Sequence, residues 1–139
     1  MIGLADTSAW GKRHLLSTEG RGDFDGRLHR GEIATCDAVK SELLYSARNL
    51  SDFRAMREEL DALPQCPITA REWARALDVY EQFAAEGGAH HRAVKFADLL
   101  IAATAEAASL PVLHCDRDFE RIAEVTGQPV RAIAPPGSL

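Results

Sequence analysis

Residues 95–108 read KFADLLIAATAEAA, and this stretch carries the strongest structural signal in the sequence. Apolar side chains occupy most of its helical circumference, which is typical of a helix that is buried on nearly every side. Asp98 interrupts the pattern. An ionised carboxylate in such a place is strongly destabilising unless a cation or hydrogen-bond donors compensate it. The sequence therefore predicts a buried helix that carries an acid for a chemical reason.

Short apolar runs alternate with amphipathic segments before and after this helix. That order is typical of a parallel sheet with helices on both faces. We predict strands at 1–5, 32–36, 66–68, 111–115 and 130–133. A helix capped by Thr7 or Ser8 is expected to carry Leu15 and Leu16. Glycines are then expected to confine the next helix to residues 24–29.

The bulk composition limits the class of protein. A chain of 139 residues with 46% hydrophobic side chains is expected to form a single domain over residues 1–139. A net charge of −5 argues against nonspecific coating of nucleic acid. It does not exclude a nuclease, because clustered acids raise the negative count and a bound divalent ion reverses the local sign.

Targeting signals and cysteine usage point to the cytoplasm. The chain has no apolar run of membrane-spanning length and no secretory signal, so no membrane association is expected. Its three cysteines are widely spaced and odd in number. We therefore expect reduced thiols rather than a disulfide framework or a zinc site.

Four acids are expected to converge at one edge of the sheet. Asp6 follows the first strand and Asp116 follows the strand at 111–115, and the carboxyl ends of parallel strands meet at one crevice. Glu42 lies in the helix after the second strand, and Asp98 lies near the start of its own helix. Carboxylates without sulfur or paired histidines suit Mg²⁺ or Mn²⁺.

Each acid also has a plain structural interpretation. Asp6 could serve only as a turn or cap residue, and Glu42 could be a solvated helix residue. Asp116 and Asp118 could simply begin a helix, where acids are favoured. Asp98 fits such an interpretation least, because its helix is apolar on most sides.

Four motifs in order resemble the PIN-domain family, and specifically VapC-type ribonuclease toxins of VapBC toxin–antitoxin pairs. They are DTSAW from Asp6, SELLYSA around Glu42, FADLLIAATA at Asp98 and LPVLHCDRDFERIAEVTG at Asp116. The resemblance covers nearly the whole chain. It implies a single PIN domain over residues 1–139, with an α/β fold: a PIN-like three-layer α/β/α sandwich around a short, mostly parallel central sheet.

The resemblance also implies roles for individual residues. The catalytic acids are Asp6, Glu42, Asp98 and Asp116, of which Asp6, Asp98 and Asp116 hold the metal. Ser8, Asp118 and His114 are accessory residues. His114 departs from the Thr or Ser that many members carry there, and we interpret it as a structural substitution ahead of a new catalytic base. The cations expected to contact RNA phosphates are Lys95, Arg117 and Arg13.

The implied activity is Mg²⁺-dependent hydrolysis of RNA phosphodiester bonds, with Mn²⁺ as a substitute ion. Transfer RNA or ribosomal RNA is the expected substrate, because exposed single-stranded bases are what a protein reads. A VapB-type antitoxin is expected to inhibit the enzyme, in a toxin–antitoxin hetero-oligomer or with the toxin as a homodimer. The alternative within the fold is a PIN nuclease for RNA processing that has no antitoxin.

Other interpretations remain at this point. A phosphatase-like or receiver-like α/β domain would use Asp6 as phosphoacceptor, although Ser8 stands where such phosphatases need a second acid. An inactive metal-binding partner protein is a further one, favoured only if His114 spoils the site. Two apolar helical stripes also allow two uses. The stripe of Leu43, Leu44, Tyr45, Phe53 and Met56 fits an antitoxin groove or internal packing, and that of Trp73, Leu77, Tyr80 and Phe83 fits core or dimer contacts.

Overall fold

Four short parallel strands form the central sheet. The computed structural model describes residues 2–88, 90–135 and 138–139. The strands are β1 (Gly3–Ala5), β2 (Ile33–Ala34), β3 (Val112–His114) and β4 (Val130–Ala132), in the spatial order β2-β1-β3-β4. All three pairings are parallel, and Leu4 of β1 lies between Ala34 and Val112. The strands that precede Asp6 and Asp116 are therefore neighbours, which the expected convergence of these two acids requires. Met1, part of the first predicted strand, lies outside the described residues.

Seven α-helices accompany these strands in the described part of the chain. They are α1 (Thr7–Lys12), α2 (Thr18–His29), α3 (Asp37–Leu44), α4 (Leu50–Asp61), α5 (Ala70–Ala85), α6 (Phe96–Ala107) and α7 (Arg117–Thr126). Short 3-10 helices occur at Arg13–Leu15 and His90–Ala93.

The helices cover both faces of the sheet. Along β1, Leu4 packs into a hydrophobic cluster with the buried side chains of α3, α5, α6 and α7. The next residue, Ala5, packs into a separate cluster with α1 and α2. Val112 and Leu113 of β3 divide in the same way. Because successive strand side chains point to opposite faces, the sheet is the middle of three layers. The predicted α/β/α sandwich is confirmed.

The strand predicted at 66–68 is wrong. Only Gln65 makes a sheet contact, an isolated parallel bridge to Thr35. The amide of Cys66 donates to the Thr35 carbonyl at 2.8 Å, and Pro67 follows directly. Proline has no N–H to extend a ladder, so the pairing ends after one bridge.

The first two helices differ from their predicted bounds. Asp6 itself caps α1, rather than Thr7 or Ser8, and the α-helix ends at Lys12 before the 3-10 turn that contains Leu15. Helix α2 begins at Thr18, earlier than predicted, because Ser17 caps it by accepting the amide of Gly20. Glycine lowers helix stability but does not forbid a helix whose Phe24 is anchored in the core.

Helix α6 is buried as predicted, with every residue from Asp98 to Ala105 nearly inaccessible to solvent. Helix α5 packs beside it through Ala76, Val79 and Phe83. Trp73 and Leu77 are not core residues, because about half of each side chain is exposed. None of the helices in the described residues has the length and apolar character that crossing a bilayer requires.

Candidate metal centre

Three helices begin at the carboxyl end of the central strands, and each brings an acid there. Asp6 is the N-cap of α1, and Asp116 is the N-cap of α7. Asp98 lies in the first turn of α6. Helix N-termini favour nearby negative charge. The three helix starts therefore offset part of the repulsion between the acids at this edge.

Asp98, Asp116 and Asp118 form the centre of the cluster. One carboxylate oxygen from each lies within 4.8 Å of the others. Asp98 is only 7% exposed, and its Oδ2 is buried without a hydrogen-bond partner in the described residues. A buried acceptor without a partner is costly, which makes this atom a candidate ligand for a cation.

Burial and mutual repulsion change the titration of these acids. Burial raises the pKa of Asp98 to about 7, and the negative charges of Asp116, Asp6, Glu42 and Asp118 act in the same direction. Burial and Asp116 also raise the pKa of Asp118, against the opposing effect of Arg121 and Lys95. Without a compensating cation, Asp98 therefore carries a proton part of the time at neutral pH.

Asp6 adjoins this centre and is held by hydrogen bonds. Its Oδ1 accepts the Ser8 hydroxyl at 2.8 Å and the Ala9 amide at 3.1 Å, while its Oδ2 accepts the Ser8 amide. Burial raises the pKa of Asp6, and the hydrogen bonds from Ser8 oppose that rise. The Ser8 hydroxyl also accepts the amide of Cys115 at 2.9 Å, so it ties the end of β1 to the end of β3. A direct metal contact from Asp6 stays a prediction.

Glu42 reaches the same side through Thr7. The Thr7 hydroxyl donates to Oε1 of Glu42 at 2.9 Å, and the charge of Glu42 contributes to the raised pKa of Asp98. Sequence reasoning missed Thr7. Its signal was the hydroxyl next to Asp6 at the start of a helix.

His114 is 1% exposed, and it supports the backbone beside the acids. Its Nδ1 accepts the Asp116 amide at 3.2 Å, and its ring lies 5.6 Å from that of Phe119. Its Nε2 lies 3.2 Å from Oε1 of Glu120, although it is not aligned for a hydrogen bond. Sequence reasoning missed Glu120, whose signal was an acid in the first turn of α7.

The predicted phosphate-binding cations have different surroundings. Arg117 is exposed and lines a cavity of about 360 Å³ together with Lys12, His114 and Asp116. Lys95 is exposed at the start of α6, close enough to Asp118 for its charge to oppose the rise in the pKa of that acid. Arg13 instead lies 3.7 Å from Asp25 and stacks 5.4 Å from the Trp10 ring centre. Two of the three cations therefore adjoin the acids, whereas Arg13 is paired elsewhere.

The donor set fits a hard divalent cation. All the ligand atoms that the cluster offers are carboxylate oxygens, and one of them is buried without a partner. Oxygen donors of this kind select Mg²⁺, Mn²⁺ or Ca²⁺ over ions that prefer sulfur or imidazole. The three cysteines are free, and none belongs to the acidic cluster.

Comparison with known proteins identifies the family of this chain. Residues 4–125 match the PIN domain family. Ribonuclease VapC18 of Mycobacterium tuberculosis H37Rv is 41% identical over 139 residues, which is all of both chains.

Solved structures share the fold. One is DNA-bound VapBC from Salmonella typhimurium, with a TM-score of 0.72, 18% identity and coverage of 96% of this chain and 100% of that one. Another is VapBC-5 of Mycobacterium tuberculosis, a member of the VapBC family of toxin–antitoxin systems, with a TM-score of 0.58, 21% identity and coverage of 94% and 96%. The chain belongs to the PIN domain family and, within it, to the VapC ribonucleases.

Proposed function

We propose that this chain is the toxin of a type II toxin–antitoxin system: a Mg²⁺-dependent endoribonuclease that cleaves transfer RNA or ribosomal RNA and is inhibited by a VapB-type antitoxin. The observation that carries the proposal is the acidic centre of Asp98, Asp116 and Asp118, with a buried and unpartnered Oδ2 on Asp98. The full-length similarity to a ribonuclease and the likeness to VapBC structures support the reaction class and the partner.

The roles follow from position. Asp98, Asp116 and Asp118 would hold the ion, with Asp6 as a further ligand. Bound Mg²⁺, or Mn²⁺ in its place, supplies a water of lowered pKa and neutralises charge on the phosphate. Glu42, which the Thr7 hydroxyl restrains, would be the acid that orients the attacking water. Attack by water rather than by the ribose leaves a 5′-phosphate and a 3′-hydroxyl.

The cavity beside Asp116 is the proposed place for the RNA backbone. Lys12 and Arg117 line it, and Lys95 lies on the side of Asp118. Phosphate contacts of this kind fix the position of the strand. The positive side chains also offset the acids, which would otherwise repel RNA.

An exposed apolar surface at the turn from α3 to α4 supports the antitoxin partner. Tyr45 is 92% exposed and Leu50 is 61% exposed, and the partly exposed Phe53 lies about one turn after Leu50 on α4. An amphipathic helix binds such surfaces through its apolar face. The exposed Trp73 and Leu77 on α5 form a second apolar stripe, which we propose as the contact of a homodimer or hetero-oligomer.

We further propose that residues 1–139 form one PIN domain that works in the cytoplasm. Strand β4 lies beyond the matched residues 4–125, yet it pairs with β3 in the same sheet. Three free thiols suit a reducing compartment. No observation favours an RNA-processing nuclease without an antitoxin, and a short neighbouring gene for a DNA-binding antitoxin would separate the two.

The proposal is tested by sequencing 5′-phosphate RNA ends after brief expression. We expect new, discrete ends from the wild type and none above background from Asp98→Asn. The matched control is Asp23→Asn, an exposed change on α2 across the sheet, which should cleave like the wild type. Discrete ends from Asp98→Asn at wild-type abundance would contradict the proposal.

A further inference from the structure

A buried histidine and a half-exposed glutamate lie behind the acidic centre, and neither offers a ligand atom to the set of Asp98, Asp116 and Asp118. We propose that His114 and Glu120 are a positioning pair that sets the affinity of this chain for its divalent cation. The inference rests on the proposed metal-dependent function and deepens it, because it assigns the pair to the placement of Asp116.

Hydrogen bonds hold both the backbone amide and the side chain of Asp116. Its amide donates to Nδ1 of His114 at 3.2 Å, and its Oδ1 accepts the Asp118 amide at 2.9 Å. The preceding amide, that of Cys115, donates to Ser8. The turn from β3 to α7 is therefore fixed at three backbone amides, those of Cys115, Asp116 and Asp118. These contacts engage the backbone amide and Oδ1 of Asp116 but not its Oδ2, while one carboxylate oxygen of Asp116 lies within 4.8 Å of those of Asp98 and Asp118.

The hydrogen bond from Asp116 requires one tautomer of the His114 imidazole. Because Nδ1 accepts a hydrogen bond, the neutral ring carries its proton on Nε2. A tautomer with the proton on Nδ1 would oppose two N–H groups and release the Asp116 amide. The packing of the ring against Phe119 at 5.6 Å leaves little room for it to turn away. His114 therefore holds Asp116 only in one tautomer.

The carboxylate of Glu120 favours the tautomer with the proton on Nε2. Nε2 is buried without a hydrogen bond, and Oε1 of Glu120 lies 3.2 Å away on a side chain that is 47% exposed. Such an exposed side chain needs only a small rotation to accept the Nε2 proton. A carboxylate that fixes the tautomer of a histidine is a common device around metal sites. Here the histidine orients a ligand instead of being one.

The test measures Mn²⁺ affinity by calorimetry, without RNA. His114→Asn places its amide oxygen where Nδ1 lies, so we expect an affinity near that of the wild type. His114→Gln moves the amide toward the Nε2 position, and we expect a loss of about tenfold or more. Backbone NMR adds a second readout, because the Asp116 amide resonance should shift in the Gln variant and remain near its position in the Asn variant.

Glu120 gives the sharper comparison. Glu120→Ala should weaken Mn²⁺ binding by about tenfold, whereas Glu120→Gln, which retains an acceptor, should bind nearly as the wild type does. In the His114→Asn background, Glu120→Ala should have no effect, because the proton that it orients is gone. Glu124→Ala, an exposed acid one turn later on α7, is the matched control.

Each outcome has one meaning. If Glu120→Gln is as weak as Glu120→Ala, or if Glu120→Ala acts equally in both backgrounds, Glu120 acts by charge alone and the pair is refuted. Equal affinity of all variants and the wild type also refutes it. If the wild type binds no Mn²⁺, the proposed metal-dependent function fails together with the pair.

Discussion

The Thr7 hydroxyl donates a 2.9 Å hydrogen bond to Oε1 of Glu42, across 35 residues of sequence. It joins the first turn of α1 to the second turn of α3 at the rim of the acidic centre. The link explains how an acid well inside α3 is held toward a site built on other strands. The Thr7 hydroxyl thus binds Glu42 and does not cap its own helix, since Asp6 is the N-cap of α1.

Replacing Thr7 with valine should lower turnover without unfolding the protein. The substitution keeps the shape and removes one hydrogen bond to a charged group, worth about 1.5–3 kcal/mol, so we expect kcat to fall by about tenfold to a hundredfold. Steady-state cleavage of a fluorogenic RNA measures it. Thr18→Val, an exposed change on α2, is the control, and unchanged kcat in Thr7→Val would show that Glu42 needs no such restraint.

The stability of the metal-free protein should fall as the pH rises. The pKa of Asp98 is about 7 in the folded chain, against an ordinary value of 3.8. The folded state therefore binds this proton more tightly than the unfolded state does, and stability is lost as the pH rises from about 4 through 7. Asp98→Asn removes the titration, so its advantage over the wild type should be largest at pH 8 and small at pH 5.

Thermal unfolding in EDTA measures that difference, because the other titrating groups are common to both proteins. Mg²⁺ or Mn²⁺ should then raise the Tm of the wild type at pH 8 and raise that of Asp98→Asn much less. A Tm difference that is constant from pH 5 to pH 8 would show that Asp98 does not titrate in this range.

Loss of a phosphate contact should change RNA binding rather than chemistry. Arg117 lines the cavity beside Asp116, so Arg117→Ala should raise KM by several-fold, leave kcat unchanged and reduce the slope of log affinity against log salt by about one. Arg54→Ala on the exposed surface of α4 is the control. A fall in kcat at constant KM would place Arg117 in the chemistry instead.

Cleavage should survive removal of the ribose 2′-hydroxyl at the cut site. In the proposed mechanism the acids orient a water for attack, so that hydroxyl is not needed as a nucleophile. An RNA oligonucleotide with a single deoxyribose at the scissile position should be cut at the same bond, to a 5′-phosphate that mass spectrometry identifies. Complete resistance of this oligonucleotide would indicate attack by the ribose.

A charge placed on the α3–α4 surface should separate toxin from antitoxin. Tyr45 is almost fully exposed, so Tyr45→Asp should leave RNA cleavage intact while it weakens inhibition by the co-expressed antitoxin by at least about tenfold. Trp73→Asp on α5 is the comparison. Equal inhibition of Tyr45→Asp and the wild type would place the antitoxin elsewhere.

Sequence reasoning reached the layers of this fold because its signals are local. Short apolar runs that alternate with amphipathic segments predict a parallel sheet covered by helices on both faces. The apolar circumference of α6 likewise needs no knowledge of its neighbours. The acids at the strand ends followed from one topological rule, and the structure brings Asp98 and Asp116 together.

The remaining features depend on tertiary contacts that leave little trace in sequence. The partner of Thr7 is 35 residues away, and the proximity of Glu120 to His114 depends on the start of α7. Helix α2 runs through three glycines because a cap at Ser17 and a core contact at Phe24 outweigh their low propensity. The 66–68 segment has apolar residues typical of a strand, but Pro67 has no N–H with which to extend the pairing.

Because Asp6 and Asp116 each close the first turn of a helix, these two acids are also structural supports. Replacing either one would destabilise α1 or α7 by about 1 kcal/mol. An inactive variant made that way would therefore also have a less stable helix N-terminus. Asp98 does not cap a helix. Asp98→Asn is therefore the better inactive variant when the native structure must be kept, as for crystals with a partner or with uncleaved RNA.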